Sequence, residues 1–457
     1  MVKFILSNSA TLQQLRAGQL IGIKRLQLAE GLKVFPPEIF TLADSLEILD
    51  LSDNQLNDLP DDLPRLVNLK ILFLSNNCFE HIPGVLQHCP KLEMIGFKAN
   101  KISQVAEGCL PVNTRWLILT DNQISRLPNS MGQLSRLQKL ALAGNKLAEL
   151  PSSMALCRSL ELVRLSANSL SALPDWLLQL PRLAWLAFAG NPFSSKNYTD
   201  SPMRTVNFAD LELAEQLGEG ASGFIYKARW LNQPLALSGL SKEVAVKLFK
   251  GNVTSDGYPE DELKCCLTAG EHSNLIKVVA QVNEPGKMAL VMELIPSDFY
   301  NLGLPPSLQT CTRDTFEPVT QFSLEILMKV IGNMAKALHH LHSNQVSHGD
   351  VYAHNTMLNQ QAELLFGDFG AASHLANLPV LQQEAMQAVE VRAFGCLLED
   401  MLIHTKATNH ADQALIETLV ELKEDCMQSN LSLRPKFAEL ITTLENISSK
   451  IAELPSH

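Results

Sequence analysis

Four short segments between Phe208 and Arg434 concentrate the side chains able to handle phosphate and a hard cation. Gly218-Glu-Gly220-Ala-Ser-Gly223 reads as a turn whose backbone amides can approach an anion with no Cβ in the way. Val244-Ala-Val-Lys247-Leu-Phe puts a lysine inside an apolar strand, where an ammonium is costly unless anionic partners meet it. His348-Gly-Asp350-Val-Tyr-Ala-His-Asn355 sets a carboxylate and an amide five residues apart on one short loop. Asp368-Phe-Gly370 follows the apolar Leu364-Leu-Phe, and a carboxylate oxygen there suits Mg2+. Any one of these is weak evidence, since Gly-x-Gly-x-x-Gly also marks dinucleotide-binding folds. A strand at 243–249 after the glycines, in place of a helix, argues against that alternative. Four segments in this order point to moving a phosphoryl group from ATP to a hydroxyl.

The elements between them fit that chemistry. Residues 217–229 read as strand, glycine turn and strand, and 288–293 as a further apolar strand. Leu324, Leu327, Val330, Ile331, Met334, Leu338 and Leu341 fall at helical spacing and deliver the chain to His348.

Together these motifs resemble a eukaryotic-type protein kinase catalytic domain over residues 206–457. The resemblance implies a two-lobed α+β domain using ATP and Mg2+. Leu217, Gly218, Gly220, Gly223, Ile225 and Ala245 would then line the nucleotide site. Lys247 would grip its phosphates, paired with a helical glutamate: Glu262, with Glu260 as the alternative. Glu293 and Leu294 would offer backbone groups to adenine beside Met292, with Met357 and Leu358 closing the sandwich from below. Asp350 would accept the hydroxyl proton, while Asn355 and Asp368 hold the metal. His348 reads as a packing residue. Glu390-Val-Arg-Ala-Phe-Gly395 resembles the start of the large C-lobe helix. Arg434 resembles the arginine that pairs with an activation-segment glutamate, for which Glu384 is the choice.

The chain also departs from the family. Gly349 stands where an arginine usually precedes the catalytic aspartate, so a phosphorylated activation loop would lack its docking charge. Tyr352 replaces a lysine, and Glu390 an aspartate. Only nineteen residues separate Gly370 from Glu390, with no Ala-Pro-Glu, so the usual platform for a protein substrate is missing. This form looks most like bacterial repeat-plus-kinase proteins. Three readings follow: a protein kinase, with serine or threonine favoured over tyrosine as acceptor; a pseudokinase scaffold that binds nucleotide without transfer; and a small-molecule kinase.

The first half is a repeat. Asparagines recur at 54, 77, 100, 122, 145, 168 and 191, in the pattern Leu-x-x-Leu-x-Leu-x-x-Asn-x-Leu-x-x-Leu-Pro. That period and signature are those of a leucine-rich repeat, an α/β solenoid expected over 1–195 with Thr11 to Leu20 as cap, then a linker at 196–205. Leucines would point inward, and each asparagine would bond backbone of its own and the next turn. A protein partner is expected on the concave face, where Asp50, Phe73, Trp116, Ile118, Arg164 and Trp185 fall.

A formal charge of −11 argues against broad attraction to nucleic acid or anionic lipid. Nine scattered cysteines form no disulfide framework, and no apolar run is long enough for a signal peptide or membrane span. A cytoplasmic protein is the expectation, with its oligomeric state open.

Overall fold

In the computed structural model, the residues described are 9–194, 204–220, 222–250, 254 and 256–452. Most of the expected linker lies outside them. The chain divides into two compact units between Leu180 and Pro181, ahead of the boundary at 195 expected from the repeat.

In the first unit, helix Ser9–Arg16 precedes seven parallel three-residue strands, from Arg25–Gln27 to Leu162–Arg164. Their central residues stack in register as Leu26, Leu49, Leu72, Ile95, Leu117, Leu140 and Val163, all buried. Successive side chains of a strand point to opposite faces, so the flanking residues take the other side. Asp50, Phe73, Trp116 and Ile118 are accordingly half-buried there, with Lys139 Nζ 4.3 Å from the Trp116 ring centroid. On the opposite side short 3-10 turns follow Pro36, Pro83, Pro128 and Pro151, whose fixed φ suits entry into a first turn.

The asparagines form the expected ladder, but toward the preceding turn and not the next. Asn77 Nδ2 donates to Leu74 O of its own turn and to Leu51 O of the turn before, while its Oδ1 accepts from Leu56 N. Asn145 and Asn168 repeat the arrangement. The residue before each asparagine has positive φ, as at Asp53, Asn76, Ala99, Asp121 and Ala167. Buried backbone groups otherwise left unpaired would each cost about 1–3 kcal/mol.

The second unit carries a five-stranded antiparallel sheet in the order Val278–Glu284, Lys287–Glu293, Glu243–Phe249, Gly223–Trp230, Leu211–Glu219. One face buries Val246, Val282, Val291 and Trp230. Helix Pro259–Ala269 follows the central strand. The helical lobe is built from Leu324–Ser343, Val380–Ile403, His410–Cys426 and Phe437–Ala452. Three sequence expectations change here. Glu390 lies in mid-helix, because that helix begins at Val380, right after Pro379. Among the described residues Arg434 meets no carboxylate: its guanidinium donates to Gln428 O, Ala388 O and Pro181 O, while Glu384 pairs with Lys436 at 3.7 Å. Trp185 is 1 % exposed and stacks on Tyr352, so it is closed to an outside partner; Arg164 is 5 % exposed.

None of the nine cysteines is in a disulfide. Among the described residues no helix is long and apolar enough to cross a membrane.

Candidate active site

Strand alternation decides which way Lys247 faces. Val246 enters the sheet core, so Lys247 turns to the opposite side, toward helix Pro259–Ala269. There its Nζ meets Glu262 Oε1 at 2.5 Å and Asp368 Oδ1 at 3.3 Å. Glu262, not Glu260, is therefore the helical partner. Lys247 and Glu262 are 6 % and 3 % exposed. Burial works against the Lys247 charge, but the Asp368 and Glu262 carboxylates outweigh it and raise its pKa. Asp368 is held differently: its side chain is half exposed in the cleft and its backbone is left-handed at φ 60°. Partial desolvation by the surrounding cleft walls raises its pKa, yet the Lys247 ammonium more than offsets this and leaves it below the usual carboxylate value.

Below, the catalytic-loop segment is pinned at both ends. Asn355 Nδ2 donates to Asp350 O at 3.1 Å and to Asp350 Oδ2 at 3.0 Å, joining the two residues. Asp314, buried, accepts from the backbone N–H of Ala353 and of His354 and bonds His354 Nδ1 at 2.6 Å. His348 is fully buried, with Nε2 3.0 Å from Gly367 O and its ring stacked on Phe366 at 4.0 Å. Burial lowers its pKa, which suits a neutral packing imidazole. Asn274 ties the strand before Asp368 in place, through Phe366 N to Asn274 O and Asn274 Nδ2 to Leu364 O.

Glu390 holds the other end of the loop. Only 2 % exposed, it accepts from Gly349 N at 2.8 Å and Ser347 Oγ at 3.2 Å, and bonds His342 Nε2 at 2.6 Å. Burial raises its pKa, but the His342 contact and the Gly349 N–H pull it below normal overall. A carboxyl depressed in the fold gives stability that is present above its unfolded value of about 4.3 and lost as pH falls through the folded value. Glu390→Gln keeps the shape without the charge. It is expected to cost about 1.5–3 kcal/mol at neutral pH, and acid titration of unfolding should show a shallower slope below pH about 4.3 than the wild type. Equal slopes would contradict the assignment.

The cleft between these groups is a cavity of about 510 Å³, within the range of small-ligand sites. Leu217, Gly218, Gly220, Gly223, Ile225, Ala245, Lys247, Glu262, Glu293, Leu294, Asn355 and Asp368 all line it. A Cβ on Gly218 or Gly220 would meet no protein atom within 4 Å, so bare backbone faces open space there. Leu358 is the exception: it is buried, paired across to Leu364, and the neighbouring Met357 faces the cavity instead. The N–H of Glu293 donates to Lys277 O at 2.9 Å and is unavailable to a ligand.

Residues 211–397 match the family model for protein tyrosine and serine/threonine kinases, and residues 44–102 that for leucine-rich repeats. Over these residues the chain carries leucine-rich repeats and a protein kinase domain. Its relatives agree. A serine/threonine-protein kinase/receptor of Acanthamoeba polyphaga mimivirus is 24 % identical over 285 residues, covering 53 % of this chain and 16 % of that protein. A serine/threonine-protein kinase of Dictyostelium discoideum is 24 % identical over 291 residues, 55 % of this chain and 19 % of its own length. Fibroblast growth factor receptor 1 of Xenopus laevis is 22 % identical over 309 residues, 57 % and 38 % respectively. The chain thus spans well under half the length of these relatives.

Several parts of the kinase domain's cleft escaped sequence reasoning. Cys266, Ile276, Val278 and Leu290 form much of its apolar wall, and His354 lines it too. Strand alternation around Lys247 could have found Leu290, its register partner. Asp314 carries no such signal, since it comes from a loop far upstream.

Proposed function

We propose that this kinase domain transfers the γ-phosphoryl group of ATP to a serine or threonine hydroxyl of a protein, with Mg2+. The observation that carries this reading is Lys247 Nζ held between Glu262 and Asp368 in the same cleft as Asn355, whose amide is bonded to Asp350 just outside the lining. Such an ion pair and metal-loop aspartate must both be in place for phosphoryl transfer.

The residues present suit the cofactor. Bare backbone at Gly218 and Gly220 leaves room for phosphate oxygens, and Lys247 is charged to meet them. Asp368 and Asn355 supply two oxygen donors, the number with which Mg2+ shared with substrate phosphates is commonly held. Bound Mg2+ would neutralise charge developing on the phosphates. Asp350, oriented by Asn355, accepts the hydroxyl proton and aims the nucleophile. Serine or threonine is favoured because relatives of viral and amoebal origin bear that name.

The half-buried strand residues Asp50, Phe73, Trp116 and Ile118 are the proposed surface for a protein partner. Nine cysteines without a disulfide suit the reducing cytoplasm. A scaffold reading has its own support in the shortened activation segment, since only nine positions, 371–379, lie between Gly370 and helix Val380–Ile403. Their sole hydroxyl, Ser373, is fully buried, which also leaves no exposed acceptor for an activating phosphate there.

The test is label transfer from γ-labelled ATP, with and without Mg2+, to the protein itself and to a cell extract. Mg2+-dependent labelling of protein that is released by alkali, as serine and threonine phosphate esters are by β-elimination and phosphotyrosine is not, supports the reading. Nucleotide binding without transfer would establish the scaffold, and label confined to metabolites would establish a small-molecule kinase.

A further inference from the structure

The second unit begins at Pro181, so the turn bearing the last asparagine of the repeat, Asn191, is built into the same body as the catalytic loop. Its strand, Trp185–Ala187, lies against that loop. Trp185 Nε1 donates to Val351 O at 3.1 Å, and the indole lies on the Tyr352 ring with centroids 4.7 Å apart and planes 6° from parallel. Both residues follow Asp350 directly. Leu186 O approaches so closely that a Cβ on Gly349 would sit 2.9 Å from it. The loop is thus gripped on either side of Asp350.

The same stretch also holds the shortened activation segment. Phe188 N donates to Ser373 Oγ at 3.0 Å, and Asn377 Nδ2 to Ser194 O at 2.8 Å. From the helical lobe, Arg392 Nε donates to Arg182 O and Arg434 Nη2 to Pro181 O, each at 3.1 Å. Arg434, whose guanidinium donates to main-chain oxygens, clasps this stretch where a longer activation segment would have offered a glutamate. Buried beside Arg392, its pKa is lowered to about 10.

We infer that residues 181–194 replace the missing part of the activation segment as the support of the catalytic loop, and that Trp185 is a positioning residue for Asp350. Trp185 touches no reacting group itself. It fixes the carbonyl of Val351 and the ring of Tyr352, and so the direction in which the preceding carboxylate leaves the chain. A misplacement of about 1 Å at such a site can lower turnover by about 10²-fold.

The effect on rate rests on the phosphotransfer reading; the effect on the loop does not. The test is therefore double, on the full chain. Trp185→Phe keeps an aromatic ring over Tyr352 but removes the N–H donor. Amide hydrogen exchange of 348–355 is expected to quicken about fivefold, the equivalent of one lost hydrogen bond, while the global unfolding midpoint moves little. Label transfer should show kcat reduced about five- to tenfold with KM for ATP unchanged. Trp185→Ala should extend both effects, and if it fails to fold the phenylalanine variant still decides. Unaltered exchange across 348–355 in Trp185→Phe overturns the inference. Quickened exchange in a chain that transfers no phosphate would uphold this role for Trp185 and sink the kinase reading alone.

Discussion

Asp350→Ala should leave nucleotide binding intact and cut phosphoryl transfer by about 10²–10⁴-fold, the usual worth of a positioned general base. Binding should survive because Asp350 is not among the residues lining the cavity, whereas Lys247, the glycine turn and Asp368 are. The fold should survive as well. Asn355 Nδ2 also bonds the main-chain oxygen of residue 350, which alanine retains. Measuring ATP affinity by titration calorimetry alongside label transfer separates the two effects. Turnover within threefold of wild type would remove Asp350 from its role.

Gly349→Arg, which restores the residue usual in related kinases, is expected to break the second unit. Gly349 has φ 73°, and a Cβ there would lie 2.6 Å from Ala371 O and 2.9 Å from Leu186 O. Even Gly349→Ala combines left-handed strain with forced displacement of two carbonyls, together about 2–5 kcal/mol. Arginine adds a long cation beside buried backbone. Thermal or urea unfolding of the alanine variant gives the cost directly, and a loss below about 0.5 kcal/mol, the level of an ordinary surface change, would refute the steric account. The departure at 349 is thus a packing requirement of this chain. An arginine side chain has no room where two carbonyls converge on the loop.

Periodicity made the solenoid legible. A fixed asparagine every 23 residues, broken once by 22, could come only from stacked equivalent turns. The cleft was legible because local motifs carry its chemistry: the lysine in an apolar strand, the Asp350–Asn355 spacing, and Asp368 after an apolar strand. What sequence could not supply was long-range pairing. Nothing in the spacing of Arg434 announces that it clasps the carbonyl of Pro181, 253 residues earlier in the chain. Asp314 under the loop and Trp185 beside it are hidden for the same reason. Of the neighbours Met357 and Leu358 only the first lines the cleft, since adjacent strand positions face opposite ways and the second turns into the core. Glu390 was misplaced within its helix because a proline start at 379 was outweighed by the motif downstream.

The backward reach of each asparagine has an evolutionary corollary. Asn77 needs only a main-chain oxygen and an amide placed as Leu51 and Leu56 place them, and every neighbouring turn offers equivalent ones. Duplication or excision of one whole period would therefore heal without a seam, whereas an insertion of any other size would strand an amide in the interior. The solenoid can grow or shrink by quanta, one whole turn at a time, ahead of the turn that holds the catalytic loop.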